Sequence, residues 1–275
     1  MNLLFKSILS SAFFCFLSQL ASAQTETSPV VPLYKETRKE IGFFVSLGQN
    51  YQSGDLYTDC ITCQYKDGVK FGYSFGALYE QNLGFSSFSA GASIAYSYLG
   101  VQSTFHTIEA ADYNYQVGGT NLTGKVNAGF SYEGKTDLSF LTIAPYIKWN
   151  PFKFMFLRAG LGASFALSSN FTNTKSLESN TAKIKTGEIV GLYFDNVKGR
   201  TSVELQNSEL KDLKSFQLFL NPAIGFNIPF SKSVTLSPIY EHSIALSKLS
   251  DSGKDLAVNY WRIIFELRIA LKGAY

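Results

Sequence analysis

From Val258 to Lys272 the chain alternates between two kinds of side chain. One set is Trp261, Ile263, Phe265, Leu267, Ile269 and Leu271; the other is Tyr260, Arg262, Ile264, Glu266, Arg268, Ala270 and Lys272. Successive side chains of an extended strand point to opposite faces, so this strand has one greasy face and one charged face. It is also the last strand in the sequence, which then reaches the aromatic Tyr275. Behind an N-terminal export signal, that combination implies a β-barrel in the outer membrane of a Gram-negative cell.

The export signal is read over Met1–Ala23: a basic start at Lys6, an apolar run from Ile8 to Leu20, and Ala21-Ser22-Ala23 before Gln24. Small-x-small is the pattern a signal peptidase cuts, and the run is shorter than the roughly 20 apolar residues of a spanning helix. Cys15 lies within the run without the small residues of a lipobox before it, which argues against a lipid anchor. Residues 24–39 follow as a periplasmic N-terminal segment, and 40–275 as the barrel domain.

Beyond Ala23 no apolar stretch is long enough for a membrane helix, yet 45% of the chain is hydrophobic and 15% aromatic. Mean hydropathy is nonetheless near zero. Alternating strands spread their apolar content in this way. The formal net charge of +3, falling by one when Lys6 leaves with the signal, gives no case for nucleic acid.

Seven further segments repeat the alternation: 40–51, 69–80, 85–99, 138–149, 153–167, 214–228 and 232–247. In the first, Ile41, Phe43, Val45 and Leu47 oppose Gly42, Ser46 and Gly48; in 69–80, Val69, Phe71, Tyr73 and Phe75 oppose Lys70, Gly72, Ser74 and Gly76. A soluble sandwich also has one apolar face, and three features decide against it. Strands of about 12–15 residues suit a bilayer, where roughly 9–11 must span, better than a soluble sheet with a mode near 5–6. Tight turns (82–84, 150–152, 229–231) alternate with long polar segments (52–68, 100–137, 168–213, 248–257), as short periplasmic turns and long extracellular loops do. Aromatic residues gather at strand ends: Tyr79, Phe85, Trp149, Phe152 and Phe230 at the turn end, Tyr51, Tyr98, Tyr240, Tyr260 and Trp261 at the loop end. The expected fold is an all-β, eight-stranded antiparallel transmembrane barrel.

The inward face then carries Glu80, Lys148, Arg158, Glu241, Arg262, Glu266, Arg268 and Lys272. Side chains just fill an eight-stranded barrel, so these charges must pair. Glu241 and Arg262, on adjacent strands, are the expected partners. The network reads either as a polar conduit or as a salt-bridged plug that fixes register, the plug being favoured.

In strand number, loop asymmetry and terminal aromatic strand, residues 40–275 resemble the small outer-membrane β-barrel proteins of the OmpA/OmpX and PorT-like type. Leu138–Leu167, two strands around an Asn-Pro turn, is especially similar to their "outer membrane protein beta-barrel domain". The resemblance implies a surface-exposed structural, adhesive or secretion-accessory protein. It also implies outer-membrane lipids and lipopolysaccharide as surroundings, and recognition of the C-terminal strand by the barrel-assembly machinery. An OmpA-like peptidoglycan-binding domain does not follow the barrel in this sequence.

Some small barrels remodel lipid A with a His, a Ser and an acid. The two histidines here are His106 and His242. His242 and Ser243 are adjacent in a strand and should face opposite ways; His106 stands near Glu109 and Asp112 at the base of a loop. No catalytic, cofactor or metal residues are assigned. Cys60-Ile-Thr-Cys63 reads as a disulfide in an exported loop rather than half of a zinc site. Tyr113, Tyr115, Tyr132 and Tyr193 offer contact area on the long loops, and pieces such as 188–194 and 201–205 could extend the strands above the membrane. The expected function is a structural, binding or secretion-accessory role through those loops, with a protein partner there. The alternatives are a narrow channel for ions or small solutes and, third, a lipid-modifying enzyme.

Overall fold

The computed structural model describes residues 38–57, 64–84, 87–117, 120–184, 187–194, 197 and 199–271, with the side chains of 114–122 outside the description. The proposed signal, Cys60 and Cys63, Phe85, Lys272 and Tyr275 lie outside the described residues.

Eight antiparallel strands form the ring: β1 (Lys39–Tyr57), β2 (Val69–Asn82), β3 (Phe88–Val117), β4 (Thr120–Trp149), β5 (Met155–Leu177), β6 (Phe216–Phe226), β7 (Val234–Ala245) and β8 (Gly253–Leu271). Each pairs with the next in sequence, and β1 pairs with β8 from Lys39↔Leu271 to Leu56↔Gly253, so the ring has no free edge at this level. Closure matters because a backbone N–H or C=O facing hydrocarbon finds no water to bond.

Closure also fixes the stagger. The register runs from Gly48 to Arg262, Glu241, Ala223, Arg158, Lys148, Ser89 and Asn82. Asn82 then donates its N–H to Arg38 O, so the path returns to β1 ten residues below its start. The displacement is even, as it must be if one side of every strand is to stay inside. Such a stagger tilts the strands by about 35–45°. The apolar face of β8 runs from Trp261 to Leu271, 11 residues. At ~3.3 Å each and ~45° of tilt that rises about 26 Å, which matches the roughly 25 Å apolar band of a membrane barrel.

Around the ring the outward side chains are apolar and bare: Phe43 is 64% exposed, Phe71 60%, and Ile147, Leu161, Phe226, Phe265 and Leu267 lie on the same belt. The inward ones are Ser46, Ser97, Thr142, Ser164, Asn221, Ser237 and the charged residues, all buried. Tight turns close one end. In Asn82-Leu83-Gly84, Gly84 has φ of 79° and its N–H bonds to Asn82 Oδ1 at 2.8 Å.

At the other end the structure departs from expectation. Residues 100–137 are not a loop: β3 and β4 continue as a 30-residue pair, in unbroken register from Phe88↔Trp149 to Val117↔Thr120. β5 follows them to Leu177, and Ser202–Ser208 adds a further strand to it. The alternation persists with its meaning reversed. Leu99, Val101, Phe130, Leu138, Phe140 and Phe171 now point inward and are buried, whereas Gln102, Thr104, His106 and Asp112 point outward. A segment that is polar outside and apolar inside is an ordinary aqueous sheet, and a search for membrane strands passes over it. On β5 the switch of face comes through a bulge opposite Ser139/Phe140, where Leu167 and Ser168 both turn outward.

A side chain moved across this boundary should report it. Phe265→Arg, at mid-belt, is expected to cost about 2–4 kcal/mol in unfolding from lipid vesicles. Thr104→Arg, outward on β3 above the belt, should change stability by less than about 0.5 kcal/mol.

Candidate functional site

The charged lumen is built on the spiral that closes the ring. Arg262, Glu241, Arg158 and Lys148 lie along it, with Ala223 between Glu241 and Arg158, so the stagger itself brings them within reach. Seven of the eight expected lumen residues face inward, and the eighth, Lys272, lies outside the described residues. Arg158 holds Glu241 at 2.9 Å and also bonds Glu266. Lys148 bonds Glu80, which takes Tyr146 OH at 3.2 Å and Arg268 Nη1 at 3.3 Å. Arg268 reaches Glu40 at 3.4 Å and bonds Asn227 and Ser237 through its other nitrogen. Below them Phe156, fully buried, lies 5.1 Å from Lys148 Nζ and 5.5 Å from Arg268 Cζ, giving both cations a ring face.

The expected Glu241–Arg262 pair does not form. The two face each other in register, but Arg262 Nη2 turns to Asn50 Oδ1 at 2.5 Å and its guanidinium stacks 4.5 Å from the Tyr260 ring. Room for that arm comes from Gly48 and Gly72, which are register partners: a Cβ on Gly72 would sit 2.5 Å from Arg262 Nη2. Tyr260 is corrected with it. It is 7% exposed, on the inward face, against Phe219 at 5.5 Å, not in the aromatic girdle. Glu40 was missed although it keeps the phase of Gly42, Ser46 and Gly48; it is the first inward residue of β1 and also binds Arg38 at 2.7 Å.

Charge in the lumen balances: Glu40, Glu80, Glu241 and Glu266 against Lys148, Arg158, Arg262 and Arg268. The network stands between a bowl of about 250 Å³ at the turn end, lined by Lys148 and Arg268 among others, and a void of about 50 Å³ beside Arg158 and Glu241. Toward the loop end Phe219, Tyr260, Leu138, Phe140 and Tyr65 are buried in one apolar cluster. This arrangement is a double plug, ionic below and apolar above.

The histidines pair elsewhere, His242 with Tyr51 and His106 with Glu178. His242 faces outward at the loop end of the belt, its Nε2 hydrogen-bonded with Tyr51 OH at 2.8 Å, while Ser243 is fully buried on the opposite face. His106 is exposed and pairs with Glu178 at 2.6 Å instead of Glu109. Glu109 points beneath the protruding sheet, where it accepts from Lys175 at 2.6 Å and Tyr132 at 2.8 Å. Tyr132, read as a surface contact, is 4% exposed and belongs to this inner face; the side chain of Tyr115 is outside the described residues. Burial alone would raise the Glu109 carboxyl, but the bonds from Lys175 and Tyr132 outweigh it and hold it below the ordinary value. Burial alone would lower the Lys175 ammonium, and the bonds to Glu109 and Tyr132 outweigh it upward.

A scan against protein-family models finds no match, and a search of curated protein sequences finds none. Among solved structures, the chain is similar to the attachment invasion locus protein Ail of Yersinia pestis in complex with the heparin analogue sucrose octasulfate (14% identity, TM-score 0.33, covering 84% of this chain and 99% of that one). Others are Neisserial surface protein A (10%, TM-score 0.31, 83% and 97%) and the outer membrane protease OmpT from Escherichia coli (8%, TM-score 0.29, 88% and 99%). The barrel architecture rests on the closed register described above.

Two outcomes follow from the plug and from the Glu109 cluster. Glu80→Gln leaves Lys148 and Arg268 short of a carboxylate and should cost about 3–5 kcal/mol in vesicle unfolding, whereas Glu80→Leu with Lys148→Met should cost far less. The depressed Glu109 contributes stability above its unfolded value of about 4.3, lost as pH falls through the folded one. The raised Lys175 contributes below about 10.4, lost as pH rises through its folded value. Protection factors of the amides of residues 105–111 and 128–132, corrected for intrinsic exchange, should therefore be highest between those limits and fall on both sides.

Proposed function

We propose that this chain is an integral outer-membrane protein whose protruding sheet is a binding platform at the cell surface. The observation that carries the reading is the reversed alternation of β3, β4 and β5 above the belt. A flexible polar loop would need no inner face, whereas here Leu99, Val101, Phe130, Leu138 and Phe171 build a core under the sheet. That core holds the outer face rigid, and a preorganised surface loses less entropy on binding than a loose one. Side chains available there include Gln102, Thr104, His106 and Ile108, the last 75% exposed. The double plug supports binding over conduction, and the separation of His242 from Ser243 supports a non-catalytic role.

The test is adhesion. A non-adherent Gram-negative strain displaying the chain should gain retention on protein-coated surfaces. A variant with residues 104–133 replaced by a two-residue turn should lose that gain while still running as a compact band before boiling. In planar bilayers the purified barrel should show no steady conductance. A steady conductance that changes on Arg158→Ala would replace this reading with the narrow channel.

A further inference from the structure

Beneath the protruding sheet lies a cavity that neither the plug nor the outer face uses. It measures about 330 Å³, the liquid volume of roughly ten waters and the lower end of the range for small-molecule sites. Its floor is the inner face of the sheet: Ala111 on β3, Phe130 on β4 and Leu177 on β5. Its roof is the strap that follows β5, through Leu192 and Phe194. Leu192 is 1% exposed, and the Phe130 and Phe194 rings lie 6.1 Å apart, so strap and sheet are packed together around the space. Its walls are apolar where Phe130, Leu177, Leu192 and Phe194 meet and polar where Lys175 and Asp112 line it.

Two charged residues line it, Lys175 and Asp112. Lys175 Nζ is 4.1 Å from the Phe130 ring centre, and its charge is already met by Glu109 at 2.6 Å. An ammonium has three N–H donors, so the pair leaves donors for an uncharged acceptor. Asp112 is exposed and stands opposite Lys125 in the β3–β4 register. A charged group seated on the apolar side, between Phe130, Leu177 and Phe194, would lie away from the outward-facing Asp112 and against a Lys175 already paired with Glu109, at a desolvation cost.

We propose that this cavity binds a small neutral amphiphile: one aromatic ring or short alkyl chain between Phe130, Leu177 and Phe194, with a hydroxyl or carbonyl oxygen accepting from Lys175. The proposal rests on the platform reading only in placing the cavity outside the cell.

The experiment uses the full barrel in lipid nanodiscs, fluorinated at phenylalanine, titrated with 2-phenylethanol, phenylacetate and phenethylamine in parallel. Saturable binding of 2-phenylethanol is expected, shifting the Phe130 and Phe194 fluorine resonances, with both charged analogues at least about tenfold weaker. Ala111→Leu, which fills the floor, should weaken 2-phenylethanol by at least about tenfold and keep the fast-running unheated band. If that variant does not fold, the resonance shifts in the native chain decide. No saturable binding, equal binding of the charged analogues, or unchanged binding in a folded Ala111→Leu variant would overturn the proposal. Adhesion unaffected by removal of residues 104–133, with 2-phenylethanol bound by the native chain, would sink the platform and leave the pocket standing.

Discussion

Everything in this molecule hangs on the hydrogen-bonded seam between β1 and β8. In hydrocarbon an unpaired backbone group costs several kcal/mol, so a sheet that did not close there would have no place in a bilayer. Closing it with a displacement of ten residues sets the tilt, and with it the height of the apolar belt. The same displacement decides which inward residues become neighbours. Arg158 meets Glu241 and Glu266 because the spiral of register carries it there.

The second organising fact is the change of medium along three of the strands. Below the boundary Phe43 and Phe265 face outward and Ser46 and Arg262 inward; above it Gln102 faces outward and Leu138 inward. The backbone does not change between the two regions, only the solvent outside it. One continuous pair of strands is thus an inside-out barrel wall in lipid and a conventional sheet with a buried core in water. The core above doubles as the upper plug of the lumen, since Phe219 and Tyr260 continue it down to Arg262.

Most of the barrel was legible in the sequence because lipid imposes a strict period of two on every strand it touches. Strand number, turn positions and the seven lumen charges all follow from that phase. The protruding sheet is hidden in the sequence because its outward residues, such as Thr104 and Asp112, are polar and resemble those of a loop. Its signal lies in the odd-numbered Leu99, Val101 and Phe105, interrupted by the small Ser103. Pair identities inside the lumen were beyond the sequence, because they depend on which arm finds room. Arg262 turns away from Glu241 to Asn50 on the neighbouring β1, into space left by Gly72 two strands away.

The reversal of faces is the central claim, and spin-label accessibility in vesicles reads it most directly. Nitroxides would be placed singly at Phe43 and Phe71 in the belt, at Thr104 and Ile108 outward above it, and at Ala111 beneath the sheet. The structure predicts that oxygen dissolved in lipid relaxes the first pair and an aqueous nickel complex the second, with Ala111 shielded from both. Nickel access at Phe43 and Phe71, or Ala111 as open to nickel as Thr104, would contradict it.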